Sequence, residues 1–426
     1  MAIVLSACGG QPASNNHDRV TISVWSHGGT DEEKRILGEQ TEAFNASHPM
    51  IRAVLTTISE GDYNDKVQAA AAANEFPDVL DLDGPTLANY AYRKRLAPLG
   101  ELLPAGTVTR LLPSLRAQGT YDGKLYGVGT FDSGLGLFGN RKLLDAAGVR
   151  YPRRIDETWT ADQFTAALRA LSAHDSDRLV LDLKLNYGVG EWFTYAFSPL
   201  LWSAGTDLID RDTGRAQGRL DSEAAVAALR RLADWHRYTD PNPQDNALQL
   251  GRVALAWGGH WTYPEVARAL GRNLVLLPLP DLGNGPKTGQ GSWVWTVSSR
   301  TASPESAAEF IDYLLRDAEV LRMATANGAV PGTSDALARS ALYQPDAPLA
   351  LYATQLQRTC GNGSITAACV AVPRPPTPAY SFISTQFATA VSIIFDGGDP
   401  RTALHAAAVA IDQDLNNNRG YRTDRS

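Results

Sequence analysis

Between Val20 and Asp83 the chain alternates short apolar runs with helix-spaced segments, and this order constrains the fold more than any other feature. Val20-Thr-Ile-Ser-Val-Trp25 is a β-branched run that ends at Gly28-Gly29, so it predicts a first strand. Asp31 to Asn45 places Ile36, Leu37, Thr41 and Phe44 at helical spacing, and His48-Pro49 stops the helix. Ile51 to Ile58 predicts a second strand, and Tyr63 to Asn74 an Ala-rich helix. Pro77 to Asp83 is a short apolar strand of the kind buried in parallel sheets. Order βαβαβ implies a doubly wound α/β layer, because parallel neighbours need a crossover helix.

Beyond this unit the pattern continues with Thr86 to Arg95 as a helix and Gly119 to Asn140 as two strands around a Gly-rich kink. Trp159 to Ala173 is expected as a helix capped by Thr158, and Asp221 to Trp235 as an amphipathic helix. Leu274 to Pro280 and Trp293 to Val297 predict strands, and Pro304 to Leu315 a helix. Pro373 to Pro378 must be extended, and Tyr380 to Asp396 and Pro400 to Asn416 predict two final helices. No internal repeat is visible. With 426 residues, and ~150 per domain, two or three domains are expected.

Charge and composition narrow the function. A net charge of −7 without a basic stripe argues against nucleic acid. No window offers the ~20 apolar residues of a membrane-spanning helix. Nine Trp and 15 Tyr stand against three Met, a bias toward side chains that bind partly wet surfaces.

The opening Met-Ala-Ile-Val-Leu-Ser-Ala-Cys-Gly-Gly is apolar and ends in small residues, like the tail of a secretory signal. It lacks a positive n-region, so a trimmed or misplaced start is expected. Leu5-Ser6-Ala7-Cys8 looks like a bacterial lipobox, in which Cys8 is lipidated and becomes the mature N-terminus; the alternative is a chance cysteine. The polar stretch Gly9 to Asp18 then reads as a flexible tether. Cys360 and Cys369 are expected to pair in an oxidising compartment, the alternative being two free thiols. No CxxC or neighbouring His completes a metal tetrahedron around them. P-loop, GxSxG and HExxH motifs are absent, although paired carboxylates for glycoside hydrolysis carry no sequence signature.

Several stretches, in this order, resemble the extracellular solute-binding proteins of family 1, the sugar-type receptors of ABC importers. They are Thr21-Ile-Ser-Val-Trp-Ser26, Tyr63-Asn-Asp-Lys-Val-Gln-Ala-Ala70, Pro77-Asp-Val79, Asp122-Gly-Lys-Leu-Tyr-Gly127, Gly139-Asn-Arg-Lys-Leu-Leu-Asp-Ala-Ala-Gly148, Thr158-Trp-Thr160, Gly251-Arg-Val-Ala-Leu-Ala-Trp-Gly-Gly-His-Trp261 and Leu277-Pro-Leu-Pro280. Val372-Pro-Arg-Pro-Pro-Thr-Pro378 looks most like the trehalose/maltose branch. The resemblance implies a two-lobe α/β periplasmic-binding-protein fold with interleaved lobes, a hinge and a central ligand cleft. It places a signal remnant, lipobox and tether at 1–17, an N-terminal lobe at 18–128 plus 278–330, and a C-terminal lobe at 129–277 plus 331–426.

A sugar receptor needs aromatic faces for C–H surfaces and carboxylates, amides or a forked Arg for hydroxyls. Asp83 follows a buried strand, where open α/β sheets bind ligands, though a capping Asp reads the same way. The resemblance puts sugar contacts at Asp132, Trp261, Trp293 and Arg374; a lone Trp is otherwise more often core. Glu32 and Glu60 near the first two strand ends, with Trp25 and Asp31, and Trp192 beside Glu191, are further candidates. Trp293 and Trp295, two apart on a strand, share one face. Trp257, on an apolar strand, reads as core.

The expectation is therefore a non-enzymatic substrate-binding component of an ABC sugar importer. It captures a di- or oligosaccharide, with α-glucosides such as trehalose or maltose to the fore, and passes it to permease subunits. It is expected to be a monomer, extracytoplasmic and held to the membrane only by its lipid, without cofactor or metal. The alternatives are the same fold binding a sugar phosphate or polyol, and a secreted glycan-active enzyme.

Overall fold

A computed structural model describes residues 19–240 and 244–421. Strands Val20–His27, Ile51–Ile58 and Val79–Asp83 form the parallel unit the sequence predicts. Helices Asp31–Ser47 and Glu60–Ala73 make the crossovers. The first helix opens with a capping box between Thr30 and Glu33, which satisfies two otherwise orphaned amides. Strand Trp293–Val297 joins antiparallel to Val79–Asp83, and Gly127–Val128 completes a five-stranded sheet. Ile22, Val24, Val79 and Val297 pack on one face with Phe44 and Phe310. Leu80, Leu82 and Val294 pack on the other with Tyr63, following the period-two alternation of a strand.

A second sheet orders Leu274–Leu277, Leu135–Asn140, Leu255–Gly259 and Leu181–Asp182. Its larger core holds Leu137, Leu255, Trp257, Phe197 and Trp235 under the final hairpin of helices Tyr380–Phe395 and Pro400–Asn417. Its other face packs Phe138, Ala256, Val266 and Tyr352. Both lobes are thus α/β layers, and the chain passes between them more than once.

Two of these passages lie side by side. Gly119 to Asn140 is not two strands but five short pieces, because it leaves the first sheet at Val128 and enters the second at Leu135. Between them Phe131–Asp132 pairs with Val330–Pro331. Buried His260 from the second lobe meets both passages: it lies 2.7 Å from the Ser133 hydroxyl and 3.0 Å from the Asn327 carbonyl. Burial pulls its imidazole pKa down, so the neutral ring donates to the carbonyl and accepts the hydroxyl. Near Leu277, Leu279 and Leu282 still pack in the second-lobe core, so the return to the first sheet falls between them and Trp293.

Two local details differ from expectation. The helix Ala161–Ser172 is capped by Thr160, which forms a box with Gln163, while the Thr158 hydroxyl closes the preceding turn onto Ile155. Helix Glu191–Ser203, which the sequence shows only as an aromatic stretch, is buried from Trp192 to Ser203. A helix apolar all round has no amphipathic period to reveal it. Among the described residues no helix is long and apolar enough to cross a membrane. Cys360 and Cys369 form a disulfide across the loop between them.

Candidate functional site

The site grows from the C-terminal end of strand Val79–Asp83. Asp83 sits directly opposite Trp293 in the ladder, so the sheet itself sets acid beside aromatic. Arg374 comes from the second lobe, just after strand Ala371–Pro373. Its guanidinium reaches Asp83 with a fork, Nη2 to Oδ1 at 3.1 Å and Nη1 to Oδ2 at 3.4 Å. Nη1 also donates to Glu191 at the start of its helix. Gly291, with φ at +140°, makes room: a Cβ there would stand 2.8 Å from Nη2 of Arg374.

Glu191 is held from its other side by the final hairpin. The Tyr380 hydroxyl donates to Oε1, and the Ser384 hydroxyl to Oε2 at 2.7 Å. Tyr380 and Ser384 are one helical turn apart, as are Glu191 and Tyr195 on the facing helix. The Arg374 side chain is 3% exposed and lies 4.6 Å over the Tyr195 ring. Burial disfavours its charge, but Asp83 and Glu191 more than offset that and hold its pKa well above the ordinary value. Burial, with Glu191 beside it, likewise pushes the Tyr380 phenol far up, so it remains a donor.

On the first-lobe side His27 stacks on Trp293 with ring centroids 3.8 Å apart and 6° between planes. Asp81 fixes that imidazole: its carboxylate lies 2.6 Å from Nδ1 and accepts the His27 amide at 3.0 Å. Tyr63 meets Trp293 edge-on at 5.5 Å. On the second-lobe side an aromatic wall runs from Tyr195 to Trp261, then Trp192, then Tyr187, with centroids 6.4, 6.2 and 5.1 Å apart. The Trp192 indole donates to the Leu183 carbonyl at 3.1 Å, which anchors that ring.

Of the sequence candidates, Asp83, Arg374 and Trp293 come together at the lobe junction, and Trp261 and Trp192 join the adjoining wall. Asp132 lies fully buried on the crossing strand, its Oδ1 accepting the Ser133 amide at 2.8 Å. Burial pushes its carboxyl up to about 6. It is close enough to Tyr195 to act on that phenol alongside Asp83 and Glu191. Glu32 faces solvent in an ion pair with Arg35. The acid of that turn that points inward is Glu33, which accepts the Thr30 amide and the Asn327 side chain. Glu60 opens its helix, and its side chain lies outside the described residues, as does Cys8. Trp295 and Trp293 line the same small cavity, but Trp295 is 6% exposed and packs with the first-lobe core. Trp257 is fully buried core.

Sequence reasoning missed His27, Tyr195, Tyr380 and Ser384. The one signal available was helical pairing: Glu191 with Tyr195, and Tyr380 with Ser384, each at a four-residue step.

Two α/β lobes, repeated crossings between them, and a charged and aromatic junction define a two-lobe binding protein of the periplasmic type. The chain belongs to the bacterial extracellular solute-binding proteins, whose family pattern matches residues 39–350. It is 25% identical over 398 residues to an uncharacterized lipoprotein in the oleD 5' region of Streptomyces antibioticus, covering 89% of this chain and 82% of that one. It is 25% identical over 358 residues to the maltodextrin-binding protein MdxE of Bacillus subtilis strain 168, covering 79% of each. In fold it is similar to the GacH receptor of Streptomyces glaucescens GLA.O, known unliganded and with acarbose, at TM-score 0.78 and 22% identity. That match covers 93% of this chain and 98% of the receptor.

Proposed function

We propose that this chain is the substrate-binding component of an ABC sugar importer, closing its two lobes on a di- or oligosaccharide. The observation that carries the reading is the Asp83–Arg374–Glu191 bridge across the lobe junction, with Trp293 on one side and the Trp261 wall on the other. Hydroxyls pair with carboxylates and a forked guanidinium, and sugar C–H faces lie on aromatic rings. A ligand that contacts both lobes favours the closed population, and the permease responds to closure. The maltodextrin and acarbose named for the relatives support an α-glucoside such as trehalose or maltose as the solute class.

The chain reads as a binder and not an enzyme: Arg374 pairs with both junction carboxylates, and Asp132 is fully buried. It acts outside the cytoplasm as a monomer, tethered by a lipid on Cys8 through the polar residues that follow. Among the described residues the lobes comprise 19–128 with 293–330, and 129–290 with 331–421.

Isothermal titration against trehalose, maltose, maltotriose, sucrose, glucose, xylose and glycerol phosphate tests the reading. Micromolar or tighter binding to a glucoside, lost in Asp83→Ala and in Trp261→Ala, is expected. A folded chain that binds none of the saccharides overturns it, and binding to glycerol phosphate alone redirects it to a phosphorylated solute.

A further inference from the structure

The first-lobe helix Leu87–Tyr92 runs into Arg93-Lys94-Arg95, three consecutive cations in a chain of net charge −7. Among the described residues none of the three is in an ion pair, and neutral amides orient the two arginines instead. Arg93 Nε donates to the Asn89 side-chain carbonyl at 2.9 Å, and Arg95 Nη1 to that of Asn74. An amide aims a guanidinium without cancelling its charge. Arg95 Nε is shielded from solvent and has no hydrogen-bond partner, an orphaned donor that calls for an acceptor. The turn that presents them is fixed. Lys94 is left-handed at φ 57°, its amide and that of Arg95 bond back to Ala91 and Tyr90 at 3.0 and 2.9 Å, and the Ser299 hydroxyl holds its carbonyl at 2.8 Å.

Both arginines line a cavity of about 430 Å³ between the lobes, a volume in the range of small-molecule sites. Asn89 lines it on the same side, and Ser381, Phe382 and Tyr421 close it from the second lobe. The Tyr421 ring meets Tyr92 edge-on at 5.8 Å, so the second lobe reaches across beside the arginines. No carboxylate lines the cavity. Asp414, behind Tyr421, is engaged by the Tyr421 hydroxyl at 2.9 Å and the Asn418 amide at 3.0 Å. The cavity shares no lining residue with the one at Arg374. Tyr380 turns to Glu191, whereas Ser381 and Phe382, next along the same helix, face this second space.

We infer that this cavity is a second binding site, for a small organic oxyanion, a carboxylate or phosphate held by Arg93 and Arg95 against the second-lobe wall. Concave walls of one charge focus the field on an anion, and a guanidinium fork matches carboxylate and phosphate oxygens. Asn89 and Ser381 can pair with hydroxyls, and the Phe382 ring suits a C–H face. A hydroxycarboxylate or a hexose phosphate has all three kinds of surface. The inference goes beyond the sugar-binding reading and does not depend on it.

Isothermal titration of the purified full chain in low-salt buffer tests it, with citrate, inorganic phosphate, glucose 6-phosphate and, as the uncharged control, glucose. At least one anion is expected to bind with a Kd of about 1 mM or tighter, and more weakly as salt is added. Citrate or phosphate binding alone marks a free oxyanion as sufficient; glucose 6-phosphate binding without them marks an anionic sugar. The double variant Arg93→Gln/Arg95→Gln is expected to lose about tenfold or more. Phe382→Glu, at a position 37% exposed, sets a carboxylate against the arginines and is expected to lose as much, which keeps the test open should the double variant fail to fold. Arg154→Gln, which removes an exposed cation outside the cavity, is expected to bind as the parent does. Unchanged melting profiles establish folding. If no anion binds the parent, or if both cavity variants bind as well as the parent, the site falls. If Phe382→Glu alone binds unchanged, the anion sits on a first-lobe patch and the two-lobe site falls. A chain that binds anions but no saccharide keeps this site and loses the sugar reading.

Discussion

Replacing Arg374 by methionine asks how much of the lobe junction rests on one buried charge. The side chain is 3% exposed, Asp83 is 13% and Glu191 is 29%, so the network is largely shielded from solvent screening. Removing one partner of such a pair leaves the other charges buried and unpaired, which costs about 3–5 kcal/mol. The loss should depend on pH. In the native chain the folded pKa of Arg374 is raised, so its contribution is fully present below the ordinary unfolded value of a guanidinium and is lost only at still higher pH. The Arg374 charge therefore contributes evenly from pH 5 to 8.

In Arg374→Met the Asp83 and Glu191 carboxylates lose their shared cation, and partial burial and mutual repulsion disfavour holding both charges. The deficit is then largest where both are ionised and shrinks as acid protonates them. Urea denaturation followed by tryptophan fluorescence at pH 8 and pH 4.5 measures both. A loss of about 4 kcal/mol at pH 8 that falls by half or more at pH 4.5 is expected. Arg374→Lys should recover part of it, since a point ammonium cannot fork to Asp83 and reach Glu191 together. A loss under about 1 kcal/mol, or one equal at both pH values, refutes the reasoning and marks the bridge as an ordinary solvated pair.

Three further outcomes follow from the same physics. Asp132 has its folded pKa raised from 3.8 to about 6, so it costs the native state stability as pH rises through that window; Asp132→Asn should be neutral at pH 3.5 and stabilising by about 3 kcal/mol at pH 7.5, measured by urea denaturation. Trp257 is fully buried, yet its indole N–H finds no partner, so Trp257→Phe should cost less than about 2 kcal/mol while Trp257→Ala costs about 3–5 kcal/mol, compared in one denaturation series. Opening the Cys360–Cys369 loop, with a separation of 9 residues, by a double Ser substitution should cost about 2.5–3 kcal/mol, and adding reductant to the parent should reproduce that loss.

The legible part of this protein was the part written in local periodicity. Ile51–Ile58 and Trp293–Val297 carry the bounds the sequence predicts, and the first βαβαβ unit follows from alternating runs that admit little else. Where periodicity was absent, prediction failed. Helix Glu191–Ser203 is buried all round, and the stretch from Gly119 to Asn140 is broken because it changes sheets.

The site divides the same way. Residue types and the family resemblance pointed to Asp83, Trp293, Trp261 and Arg374. Nothing in the sequence said that Arg374 would meet Asp83 across 291 positions, or Glu191 across 183. Nor did it show that His27 would cover one face of Trp293, or that Glu33 rather than Glu32 would turn inward. By itself the chain's order of apolar and polar residues determined the first α/β layer, because burial of a strand or helix face depends on neighbours only a few positions away, while the second lobe was implied by the family resemblance. Which acid met which cation, and which ring stayed open to a sugar, was decided only when the lobes packed, because those contacts depend on the relative placement of elements far apart in the chain.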